Sequence, residues 1–275
     1  MSKSAFVRLS LLCAVVIVGL DASLSATHAW GGYHWARTGN PFNLQGGSNL
    51  TTAAWRTALG SENAAGSAIS DWNLASGVLD LTLVAGRAKG NCKPTVGRIE
   101  VCNGTYGNNG WLGIAQIWIT GGVHITQATT KLNDTYFNTP TYNTAAWRQL
   151  VTCQEVGHNF GLGHQDENFY NLNKNTCMDY TNDPESNQHP NAHDYEQLNL
   201  IYLFHTDSFS TAAAAKLPNG VPPAMGQLDF DGRSQWGQVK KESRRESEFE
   251  LDFGGGNLLV THVFWADPEN DAHAH

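Results

Sequence analysis

Charge is scarce in this 275-residue chain: 15% of its residues are Asp, Glu, Lys or Arg, and together they leave a net charge of −8. An acidic balance without a basic patch excludes the electrostatic footprint of a nucleic-acid binder. The one basic run, Lys240 to Arg245, is interrupted by acids and reads as a solvated strand or loop face. Long hydrophobic runs are missing apart from Leu9 to Leu20, which is too short for a comfortable transmembrane helix. Lys3 and Arg8 precede that run and Thr27-His28-Ala29 follows it, which is the order of a secretory signal over residues 1–29. The expected location is extracellular or periplasmic, with no membrane contact once the signal is removed. Cys-x-x-Cys spacing is also absent, so the four cysteines left after Cys13 do not form a common structural zinc module.

Those four, Cys92, Cys102, Cys153 and Cys177, suit an oxidising compartment and allow three disulfide pairings. Abundant Gly, Trp, Asn and Thr suit a loop-rich extracellular domain. The length fits one medium domain over residues 30–205, followed by a linker and a β-hairpin extension over 206–275. In that extension, Phe249, Leu251 and Phe253 alternate with acids before Gly254-Gly255-Gly256 turns into Leu258 to Ala266. No chemistry is apparent there.

Along the main domain, Thr51 or Thr52 caps a helix through Ala58, and Ala64 to Ala75 is helical with Ile69 and Trp72 on one face. Leu79 to Val84 and Arg98 to Cys102 read as short strands. Leu112 to Ile119 is the strongest strand, turned by Gly121-Gly122 into a second over Val123 to Leu132. A helix over Ala145 to Phe160, capped by Thr141 or Asn143, places Trp147, Val151, Gln154 and His158 on one stripe. A last helix spans Asn191 to Phe204; His189 and His193 beside its start read as surface or cap residues.

The stripe ends in chemistry. Gln154 and His158 lie four apart and share a face, with Glu155 one step round. Gly161 is free to take the φ > 0 conformation that ends the helix, and His164 then returns to the same point. Three donors beside an acid is the pattern of a catalytic metal site with an open position.

Residues 154–164 read Gln-Glu-x-x-His-x-x-Gly-x-x-His. They resemble the metzincin metallopeptidases, whose signature begins with His where this chain has Gln154. Asn175-Thr176-Cys177-Met178-Asp179-Tyr180 resembles the Met-turn of that family, with Met178 as the matching residue. Tyr180 stands where some metzincins, astacins and serralysins among them, have a metal-facing tyrosine. The resemblance covers about residues 30–205. It implies an α+β fold: a twisted mixed β-sheet, an active-site helix, a Met-turn and a C-terminal helix. It implies Zn2+ held by Gln154, His158 and His164, with Glu155 as general base and Tyr180 assisting. The substrate would be a peptide or protein, cut by a secreted monomeric endopeptidase. Gly113 to Ile117 would be the edge strand that pairs with bound peptide, unless it is an ordinary structural strand. Cys92–Cys102 and Cys153–Cys177 are then the favoured pairings. The first closes a local loop, and the second ties the motif to the segment before Met178.

Gln154 sets the competing readings. An amide oxygen reaches as far as a distal imidazole nitrogen but is a poorer zinc donor. A secreted pseudo-protease that binds peptide without cutting it would tolerate that loss, although it has no need of Glu155. A carbohydrate-binding module would use the Trp and Asn content instead.

Overall fold

The computed structural model describes residues 27–60, 65–226 and 230–267. The secretory signal expected at residues 1–29 lies outside the described residues except for its last three. Among the described residues no helix is long and apolar enough to cross a membrane.

The architecture is α+β. A nine-stranded mixed sheet contains β1 (His34–Trp35), β2 (Phe42–Asn49), β3 (Leu79–Ala85), β4 (Arg98–Gly104), β5 (Trp111–Thr120) and β6 (His124–Asn133). Its C-terminal strands are β7 (Gln238–Glu242), β8 (Glu246–Gly254) and β9 (Asn257–Trp265). The spatial order is β3-β2-β4-β6-β5-β9-β8-β7, with β1 paired to the start of β6. β2, β3, β4 and β6 run parallel, whereas β5, β7, β8 and β9 pair antiparallel. β5 is buried at all of its positions, as its unbroken apolar run suggests for a strand covered on both faces. One face joins the main core with Leu112 and Ile117. The other, through Ile114 and Trp118, meets Phe230, Trp236 and Phe249 in a second core.

The helices are α1 (Ala53–Leu59), α2 (Ala68–Trp72), α3 (Asp134–Phe137), α4 (Ala145–His158) and α5 (Ala192–Tyr202). Thr52 caps α1. Thr144, rather than Thr141 or Asn143, caps α4: Asn143 N closes a turn on Thr139 O, and Thr144 is extended with its hydroxyl accepting from Trp147 N. Asn143 instead accepts from Arg148 Nη2 at 2.6 Å. Ahead of β2, His34–Trp35 is a two-residue strand and Ala29 makes an isolated bridge to Leu162.

The disulfides are Cys92–Cys102 and Cys153–Cys177, with Cα separations of 6.0 and 5.9 Å. Both suit an oxidising compartment. The second fastens α4 to the segment before Met178. Replacing both of its cysteines with Ser is expected to cost about 2–5 kcal/mol of stability, read as a lowered denaturation midpoint. An unchanged midpoint would remove this bond from the account.

The C-terminal hairpin is built into the sheet. β9 pairs along β5 from Trp111↔Trp265 to Ile119↔Leu258, so Gly113 to Ile117 are flanked by β6 on one side and β9 on the other. The edge expected to receive a peptide is therefore filled by the chain itself. The cause is legible in β9: Val260 and Phe264 enter the main core while Leu259 and Val263 enter the second, which makes it an interior strand.

Candidate metal centre

Close packing sets the position of α4. Trp72 Nε1 donates to Cys153 O at 3.1 Å and Trp35 Nε1 to Asn159 O at 2.9 Å, so two buried indoles hold the last turns. Gly113 lets the helix lie against β5: a Cβ there would stand 2.5 Å from Val151 Cγ1 and 3.0 Å from Glu155 Cγ. Gly161, at φ +87°, turns the chain where a Cβ would meet Tyr33 O at 2.0 Å. That turn returns His164 beneath the helix end.

Gln154, His158 and His164 are brought together as their spacing predicts. His164 Nε2 lies 3.1 Å from His158 Nε2 and 2.9 Å from Gln154 Nε2. His158 Nδ1 is 2.8 Å from Leu162 O, a contact that requires the proton on Nδ1 and leaves the Nε2 lone pair facing the cluster. Met178 is wholly buried under the helix; a Cβ on Gly157 would approach its Sδ to 2.7 Å. Tyr180 meets the His164 ring edge-on, with centroids 4.5 Å apart. Burial, and then Glu246, push the Tyr180 hydroxyl pKa far up, which keeps it neutral.

Two further residues, both from the hairpin, complete the cluster. Glu246, at the start of β8, places Oε2 2.8 Å from His164 Nε2 and 2.9 Å from His262 Nε2, and its Oε1 accepts from Gln154 Nε2 at 3.0 Å. His262, in β9, also sets Nδ1 3.1 Å from Glu155 Oε2. Neither has a motif around it. The available signal was a histidine within the apolar run Leu258 to Ala266, at a position where an interior strand leaves little room for an unpartnered polar group.

The electrostatics follow from burial and pairing. Burial, then His262 and His164, hold His158 well below the usual range, and burial lowers His164 despite Glu246. Burial also raises Glu155, in spite of His262. For His262 burial is outweighed by Glu155 and Glu246, which raise it to about 10. For Glu246 burial is outweighed by His164 and His262, which hold it at about 2. A solvent-connected cleft of about 710 Å³ opens onto the cluster, lined by Trp30, His158, His164, Tyr180, Glu246 and His262.

Searches of protein-family models, curated proteins and solved structures found no match to this chain.

The residues present fit a divalent cation. His158, His164 and His262 bring one ring nitrogen each within 4.8 Å of one another. Nitrogens on one tetrahedral zinc at 2.0–2.1 Å stand about 3.4 Å apart, close to the 3.1 Å between His158 Nε2 and His164 Nε2. His164 Nε2 faces neighbours of opposite demand. If protonated it opposes the Gln154 amide donor; if not, its lone pair faces those of His158 Nε2 and Glu246 Oε2. A cation resolves that conflict by accepting several lone pairs at once. Gln154 Oε1 is a buried acceptor with no hydrogen-bond partner among the described residues.

Proposed function

We propose that this chain is a secreted zinc-dependent endopeptidase of metzincin type. The observation that carries the reading is the convergence of His158 Nε2 and His164 Nε2, 3.1 Å apart, at the end of a helix that also presents Glu155. His158 and His164 would hold the ion, with Gln154 beside them. A bound zinc would supply the Lewis acidity that activates water and polarises a carbonyl. Glu155, whose pKa burial raises, is the proton carrier of the motif: it takes a proton from the attacking water and returns it to the leaving amine. Tyr180 keeps its proton and offers its hydroxyl to developing negative charge in the cleft. Trp30 and Glu248 line the same cleft and would bound the substrate there.

Two observations favour a second reading, a pseudo-protease that binds peptide without cutting it. β9 occupies the β5 edge, and His262 engages Glu155. Casein hydrolysis by the purified mature chain separates the two. The peptidase reading expects hydrolysis that a chelator abolishes and added zinc restores. Cleavage indifferent to the chelator, or bound zinc with no cleavage, would sink it; the latter result is the one the pseudo-protease expects.

A further inference from the structure

The position where the motif lacks a histidine adjoins one that no motif announces. We infer that His262 is the third nitrogen ligand of the metal centre, so that the C-terminal hairpin is part of the site. The inference rests on the zinc centre of the hydrolase reading and assigns its missing donor.

Three observations carry it. His262 joins His158 and His164 as the group of ring nitrogens close enough to share an ion. Gln154, the residue at the expected ligand position, instead directs its amide nitrogen to Glu246 Oε1 at 3.0 Å and so steadies that carboxylate. His262 also has the partner that a ligating histidine needs: its Nδ1 lies 3.1 Å from Glu155 Oε2, the arrangement in which a carboxylate fixes tautomer and ring direction, and its Nε2, 2.9 Å from Glu246 Oε2, is the nitrogen left on the side of the cluster.

Charge points the same way. Glu155 and Glu246 are both fully buried beside the three histidines, and a divalent cation would offset their paired negative charge. Delivery is rigid as well. His262 lies between Val260 and Phe264 of β9, both buried in the main core together with Trp147 and Leu112. A ligand held by an interior strand needs no loop closure to reach the ion.

X-ray absorption on the zinc-loaded wild-type chain counts imidazoles directly and requires no variant to fold. Three are expected. In parallel, zinc competition on His262→Gln should show affinity lowered by more than about 100-fold, beyond the 10–100-fold usual for an outer partner. Two imidazoles together with unchanged affinity would overturn the assignment and leave the peptidase reading standing. A three-imidazole site without chelator-sensitive hydrolysis would uphold His262 and sink the peptidase. No saturable zinc in the wild type would overturn both.

Discussion

Replacing Glu155 with Gln is expected to lower peptide hydrolysis by about 10²–10⁴-fold while zinc stays bound. Glutamine keeps the shape of the side chain, and its carbonyl still accepts from His262 Nδ1, now 3.1 Å from the carboxylate. What it loses is a site for a proton at neutral pH. The measurement is hydrolysis rate and zinc affinity on the same preparation. If both fall in proportion, Glu155 orients His262 and carries no proton. If neither falls, its assigned role is lost.

Gly161→Ala is expected to be the most damaging substitution for the fold around the site. Two costs combine. An L residue at φ +87° is strained by roughly 1–2 kcal/mol, and the new Cβ would stand 2.0 Å from Tyr33 O, a backbone atom that a side-chain rotation does not move. Relief requires shifting the N-terminal segment, whose Trp30 N donates to Gly161 O at 2.7 Å. A total of about 3–5 kcal/mol places the change in the severe tail of single substitutions. At roughly 2–4 °C per kcal/mol for a chain of this size, the Tm should fall by about 10 °C. A Tm within 2 °C of wild type, at a precision of about that size, would show that the turn relaxes freely.

Much of the site's near side was legible because local rules govern it. The stripe Trp147, Val151, Gln154, His158 follows from helical period alone, and Gly161 announces the turn that returns His164. β5 declared itself by an apolar run, and both disulfides join the favoured pairs, one closing a local loop and one tying the motif to the segment before Met178. The far side was hidden because it depends on long-range pairing. His262 is 107 residues from Glu155, and nothing local records that β9 will lie against β5 rather than fold as a separate hairpin. Glu246 is similarly opaque, since within an alternating run of acids its sequence resembles that of an exposed strand face. Only burial between two histidines distinguishes it from Glu248 and Glu250.

A zinc titration of the chelator-stripped mature chain, run beside a His158→Ala/His164→Ala variant, tests the proposed zinc site at the end of α4 most directly. One saturable site per chain is expected in the wild type, lost in the variant while its circular dichroism stays native. A wild type that takes up no zinc, or a variant that binds it with unchanged affinity, would contradict the account.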